Sequence, residues 1–161
     1  MGCDRLVPPT YCQQVSTAAA RIDAGFDVDA FLERPLVAHV ASAGPSVRAV
    51  WFLWEDGAFW WLTGSWSGLP SIPKADPRVA LLVDTCELET GDVLQLSAEG
   101  DAEIYQLDPG RACRILQRYL GVDASRWPER FKGSTFHDPA TRMIRLEPSS
   151  LRARDLSYAL P

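Results

Sequence analysis

The sequence predicts a mainly β protein with α insertions, a small antiparallel barrel flanked by helices. Three observations carry that expectation. Apolar runs of strand length recur along the chain, separated by Gly, Pro and Asp turn chemistry. Their spacing is irregular, with no strand–helix–strand rhythm of the kind a doubly wound parallel sheet requires. The 161 residues, 47% apolar and 23% charged, suit one globular domain with a sizeable core.

Each element has its own signal. Val15, Ala18, Ala19, Ile22 and Phe26 keep helical spacing, which predicts a helix from Thr10 to Ala24 stopped by Gly25. Asp27 can cap a second, short helix over Asp29–Glu33, closed by Arg34-Pro35. Strands follow at Leu36–Ser42 and Val47–Trp54, with Gly44-Pro45 between them. Asp56-Gly57 then links Val47–Trp54 to Ala58–Thr63, a strong hairpin signal. After a looser stretch from Gly64 to Asp76, Pro77 leads a buried strand, Arg78–Asp84. Leu94, Leu96 and Ala98 alternate with Gln95, Ser97 and Glu99, and Gly100 predicts a bulge before the strand resumes at Ala102–Leu107. Pro109 starts a helix to Leu120 with Ala112, Ile115, Leu116 and Tyr119 on one face and Gly121 as its stop. A helical turn at Trp127–Phe131 and strands at Arg142–Leu146 and Leu151–Leu156 complete the chain. Residues 1–34 are thus expected as a helical segment packed on a barrel of residues 35–161, one domain overall.

Composition excludes several function classes. The net charge of −5, with no basic stripe, argues against a nucleic-acid partner. The apolar runs Leu81–Val83 and Val50–Leu53 are too short to span a bilayer, and the first residues lack a signal-peptide core. A cytoplasmic location is expected. Cys3, Cys12, Cys86 and Cys113 show no C-x-x-C spacing and read as reduced thiols rather than a metal site. The patterns G-x-G-x-x-G, the P-loop and G-x-S-x-G are absent. His39 sits in an apolar strand and His137 in a loop, which suits a packed and a solvated histidine better than a hydrolytic triad.

The segment from Trp51 to Ser67 is unusual. Five of the six tryptophans, Trp51, Trp54, Trp60, Trp61 and Trp66, fall within it. Along Ala58–Leu62 both strand faces carry large apolar groups. One can line the barrel; the other needs a second subunit, a helix or a planar ligand. Thr63-Gly64-Ser65-Trp66-Ser67-Gly68 then packs three hydroxyls and two glycines into six residues, a composition that can make a concavity for phosphate and also occurs in ordinary turns.

Val50-Trp51-Phe52, Trp54, Asp56-Gly57, Leu62-Thr63 and the Asp-Pro-Arg-Val-Ala-Leu run of residues 76–81 together resemble the pyridoxamine 5′-phosphate oxidase-like split-barrel superfamily, and within it the flavin- and deazaflavin-dependent reductases. The resemblance covers roughly residues 30–157. It implies a six-stranded antiparallel split β-barrel that forms a homodimer, with cofactor sites at the seam. The cofactor would be FMN or the deazaflavin coenzyme F-420, and the reaction hydride transfer to or from a small organic substrate. In such proteins the ring lies along the strand matching Arg48, Val50, Trp51 and Phe52. The phosphate is held by the loop matching Thr63, Gly64, Ser65, Trp66 and Ser67, and the second subunit contributes from the region of Gln95. No catalytic acid or base is implied, because the ring itself carries the hydride.

The chain departs from the family in its phosphate loop. Leu69 stands where Lys is usual and Ile72 where Asn is usual, which removes a charge-assisted bond to phosphate unless Arg48, Lys74 or Arg78 replaces it. A second reading therefore stays open: a cofactor-free binding protein or non-redox enzyme that uses the same aromatic cleft. Haem binding, through His39 or His137, is a third.

Overall fold

The computed structural model describes residues 25–44, 46–67, 76–134 and 138–158. The helix expected at Thr10–Ala24 lies outside them. Asp27 caps α1 (Val28–Leu32) as expected, its Oδ1 accepting the amides of Asp29 and Ala30 at 3.0 and 3.1 Å. Strands β1 (Val37–Ser42), β2 (Ser46–Glu55), β3 (Ala58–Thr63), β4 (Arg78–Asp84) and β5 (Leu94–Gln106) follow. Then come α2 (Pro109–Leu120), β6 (Arg142–Leu146) and β7 (Ser150–Asp155). A 3-10 turn at Ala124–Arg126 and a wide helical turn at Arg130–Ser134 occupy the connection where one turn was expected.

The β2–β3 hairpin turns on Asp56 and Gly57 with φ of 55° and 70°, between the paired residues Glu55 and Ala58. Positive φ at both central positions makes a type I′ turn, whose twist matches that of the strands. The strands run in the order β4-β1-β2-β3-β6-β5, and β5 returns to β4, which closes a six-stranded antiparallel ring. The closure from Arg78↔Asp101 to Asp84↔Gln95 is possible because β5 has 13 residues. Its other edge is shared: Ala102–Gln106 pair with β6, and Leu94–Glu99 with β7.

At the changeover, Gly100 was expected to interrupt the strand. Instead β5 runs through it, and the irregularity lies opposite, at residues 147–149. A Cβ on Gly100 would stand 2.8 Å from the Glu147 carbonyl oxygen and 3.3 Å from the Ser149 nitrogen. Glycine is required there by close approach of backbone. The Asp-Pro-Arg signature opens β4: the Asp76 carboxylate accepts Arg78 Nε and Nη2, each at 2.8 Å, and is held at a pKa of about 2 by that bond. Arg78 is thereby committed to Asp76 in this structure.

Phe52, Phe59, Trp61, Leu81, Leu96 and Leu146 fill the barrel, with Phe31 and Leu32 of α1 added to the same cluster. Each such side chain contributes about 1.5–3 kcal/mol on full burial. The outer face of β3 is covered by α2: Ala58, Trp60 and Met143 pack with Ile115, and Tyr119 lies alongside. Of the three covers considered for that face, the chain supplies the helix itself, so these rings give no ground for a second subunit. Arg111 holds α2 in place, bonding Glu55 at 2.7 Å and Asp56 at 2.8 Å while its guanidinium lies 4.2 Å from the Trp60 ring centroid. Arg118 donates to the carbonyls of Leu32 and Arg34 and so ties α2 to the end of α1.

Cys86 is free and exposed. Cys113 is disulfide-bonded, contrary to the expectation of reduced thiols. No described helix is long and apolar enough to cross a membrane.

Candidate functional site

β2 and β3 separate after a short contact. They pair only from Phe52↔Trp61 to Glu55↔Ala58; beyond that, Leu62 and Thr63 pair with β6 while residues 46–51 pair with β1 alone. Between the diverging strands lies a cleft of about 310 Å³. Arg48, Ala49, Val50 and Trp51 form its β2 wall, and Leu62, Trp66 and Ser67 the β3 side. Ile115 and Leu116 of α2, with Phe131, complete it.

Tyr119 sets the geometry of this split. By register Leu36 faces Phe52, but their main chains do not join directly. The Tyr119 hydroxyl accepts the Phe52 amide at 3.1 Å and donates to the Leu36 carbonyl at 2.5 Å. Since the Phe52 amide points toward β1, strand alternation turns the main-chain groups of Ala49 and Trp51 toward the cleft. Burial raises the pKa of the Tyr119 hydroxyl, so it remains a donor at neutral pH. Its ring stacks on Trp51 at 4.9 Å and 3°, and Phe131 meets Trp51 at 5.4 Å. Trp51 is therefore fixed by rings of its own chain.

The bend after β3 is a 3-10 turn at Ser65–Ser67. Trp66 folds back across Gly64, where a Cβ would come within 2.2 Å of the indole, and remains 52% exposed. Ser67 Oγ donates to the Gly64 carbonyl at 2.7 Å, so in the 3.1 Å contact with Thr63 it is Thr63 Oγ1 that donates. Ser65 Oγ donates to Asp138 Oδ2 at 2.6 Å.

Arg48, Val50, Trp51, Trp66 and Ser67, all expected at the site, thus line one cleft, and Thr63, Gly64 and Ser65 shape its border. Phe52 is fully buried inside the barrel, so its side chain does not reach the cleft. Gln95, expected to contribute to the site of a second subunit, pairs with Asp84 and Arg154 in its own chain. Lys74, Leu69, Ile72 and His137 lie outside the described residues. His39 is exposed on the outer face of β1, between Ala49 and Leu82, and does not line the cleft. Among the described residues no cluster of His, Cys, Asp and Glu could hold a metal ion. Sequence reasoning missed Ala49 and Phe131 in the cleft wall and Asp138 as the partner of Ser65. It identified Ile115, Leu116 and Tyr119 as one helix face without the strand they serve.

No protein-family model matches the chain, and no curated protein does. Solved structures do. An F-420 reductase aligns over 81% of this chain and 98% of its own, at 22% identity and a TM-score of 0.55. A candidate pyridoxamine 5′-phosphate oxidase from Listeria innocua aligns over 81% and 96%, at 19% identity and 0.54. The chain has the pyridoxamine 5′-phosphate oxidase-like split-barrel fold. The same split barrel carries the haem storage protein HutZ from Vibrio cholerae, which aligns over 77% of this chain and 89% of its own, at 15% identity and 0.56. At these identities the likeness concerns the fold, and function has to be argued from the cleft.

Proposed function

We propose that the cleft between β2 and β3 seats a planar flavin-type ring, that of FMN or the deazaflavin coenzyme F-420, and that the protein is an oxidoreductase passing a hydride between that ring and a small organic molecule. The observation that carries this reading is the lining. Trp51, Trp66 and Phe131 offer aromatic surface, and Val50, Leu62, Ile115 and Leu116 make the rest apolar. The open edge of β2 adds main-chain hydrogen-bonding groups, which a flat heteroaromatic ring can use along its rim. At about 310 Å³ the space is near the small end of ligand pockets, so it admits a ring with a short tail rather than a dinucleotide.

When bound, the ring supplies the hydride chemistry. The chain's own residues hold it, keep water from its apolar faces and bring the Arg48 guanidinium to the site. That this fold also carries an F-420 reductase is consistent with the proposal.

The homodimer belongs to the same proposal. On the outer side of the barrel, His39, Val47, Ala49 and Ala80 are exposed, Val47 at 66% and Val37 at 38%. Small and apolar residues on neighbouring strands make a smooth surface of the sort that oligomers bury. Ala49 belongs both to this face and to the cleft wall, so a second copy seated there would close the cleft mouth.

The test is an absorption spectrum of the freshly purified protein, then titration with FMN and with F-420 while tryptophan fluorescence and thermal midpoint are followed. Binding should quench the indoles and raise the midpoint by mass action. Saturating cofactor without either response would overturn the reading, and a monomer in light scattering would overturn the dimer.

The apolar lining also favours a second reading, an apolar small molecule held without redox chemistry. It predicts quenching by such a ligand and none by FMN; displacement of that ligand by micromolar FMN would dispose of it.

A further inference from the structure

We infer that the outer face of the barrel is a self-complementary interface, on which a second copy sits with its strands crossed so that Arg152 of each pairs with Glu99 of the other. The inference rests on the homodimer proposed above and deepens it by naming the contacts that orient the partner.

Ladder pairing puts Arg152, Ser97, Leu82, His39 and Ala49 in one row, on β7, β5, β4, β1 and β2 in turn. Residues opposite one another share a face of the sheet. This face points away from the core, with Arg152, His39 and Ala49 exposed and Leu82 and Ser97 half-buried. Asp84 stands two residues from Leu82 along β4, and Glu99 stands on β5 opposite Ala80, on the other side of the row. Both are exposed. Arg78, Arg111 and Arg145 are matched within the chain, by Asp76, Glu55 and Glu147 at 2.8, 2.7 and 2.6 Å. Among the described residues the side chains of Asp84, Glu99 and Arg152 have no such partner.

Leu82 is the middle of this face, since β4 has β1 and β2 on one side and β5 and β7 on the other. From it, Arg152 lies two strands across, about 10 Å, and Glu99 one strand across and two residues along, about 8 Å. On the opposite side His39 lies one strand across and Asp84 two residues along β4, about 5 and 7 Å away. A two-fold axis that lies in the contact plane and passes through Leu82 exchanges two points when it bisects the angle between them. The bisector for Arg152 and Glu99 and that for His39 and Asp84 lie within about 20° of each other. A single axis therefore lays Arg152 on Glu99 and His39 on Asp84, each twice. It crosses the strands at about 70°, close to the orthogonal mode of sheet packing.

Two other axes through this centre bring like charges together. One along β4 sets Asp84 against Asp84, and one across the strands sets Arg152 against Arg152, and such contacts select against those arrangements. The favoured axis also carries the end of β4 beyond Asp84 over Ala49, so the second copy closes the cleft wall to which Ala49 belongs.

Sedimentation velocity on wild type, Arg152→Glu, Glu99→Arg and an equimolar mixture of the two variants tests this. Wild type should sediment as a dimer. Each variant sets like charges together at both contacts and should weaken self-association by about a hundredfold. The mixture should recover the dimer, because each chain then meets the charge that its own copies lack. Arg152→Gln should weaken association by about tenfold, and it keeps the comparison available if a reversed charge disturbs the fold, which far-UV circular dichroism reports.

A monomeric wild type overturns the inference. So does a variant that dimerises as tightly as wild type, or a mixture of folded variants that stays monomeric. FMN titrated into the same samples separates the interface from the flavin reading. FMN affinity that ignores recovery of the dimer refutes closure of the cleft by the second copy and leaves the flavin reading standing. Should FMN bind none of the samples, the flavin reading alone fails, and sedimentation still decides the interface.

Discussion

Replacing Tyr119 by phenylalanine removes one oxygen and isolates the joint it makes between β1, β2 and α2. The phenyl ring keeps the stacking on Trp51, so the aromatic packing stays. The Phe52 amide and the Leu36 carbonyl lose their partner, because Tyr119 stands where the two strands would otherwise bond directly. Each buried main-chain group left unmet costs about 1–3 kcal/mol. Some recovery by solvent at this half-buried position brings the sum to about 2–3 kcal/mol. For a domain of this length that lowers the midpoint by about 5–10 °C. Urea denaturation followed by far-UV circular dichroism measures it, together with a thermal scan. A loss below about 0.5 kcal/mol with unchanged slope would refute the reasoning, since the strands would then have closed on each other unaided. The alkaline limb gives a second check. The folded-state pKa of Tyr119 lies above the ordinary 10.0, so its contribution is complete below that value and is lost as pH rises through the folded pKa. The gap between wild type and Tyr119→Phe should therefore narrow above pH 10.

Three further outcomes are expected. Gly100→Ala forces a methyl to within 2.8 Å of the Glu147 carbonyl and should destabilise by about 1–3 kcal/mol in denaturant titration; a neutral effect would mean that the irregular stretch opposite can retreat. Asp76 should titrate near 2 by carboxyl NMR, its stabilising charge present above 3.8 and lost as pH falls through about 2, and Arg78→Gln should return it to the ordinary range. Gly64→Ala should push the Trp66 indole off the bend, seen as a red shift of emission; an unchanged spectrum would contradict the packing described.

Local signals located most of the elements. The bounds of β4 and α2 coincide with the residues the sequence marked, because Pro77 and Pro109 fix where each can start and Gly121 where α2 must stop. The Asp-Gly turn was equally legible, its backbone conformation being nearly dictated by residue type. What could not be read was partnership over distance. Periodicity showed that both faces of β3 need cover, yet nothing local distinguished α2 from a second chain. The continuity of β5 through Gly100 depends on what lies opposite, some fifty residues away: the break between β6 and β7, which holds Pro148, was legible, but that it faces Gly100 was not. At the site, the density of hydroxyls in the bend was visible, whereas their direction was not. Ser65 points to Asp138, 73 residues on, a pairing that only the meeting of the β3 and β6 ends creates.

The position of β7 at the end of the sheet order has a consequence for how copies of this chain can meet. Among the described residues its only strand partner is β5, and a strand flank without a partner is a template for strand addition. Arg152, Arg154 and Asp155 are exposed along it, and charges of this kind discourage an incoming strand from docking. Growth into edge-joined polymers is thereby hindered. In the proposed dimer a second copy would therefore meet the exposed residues of β1, β2 and β4 rather than this edge.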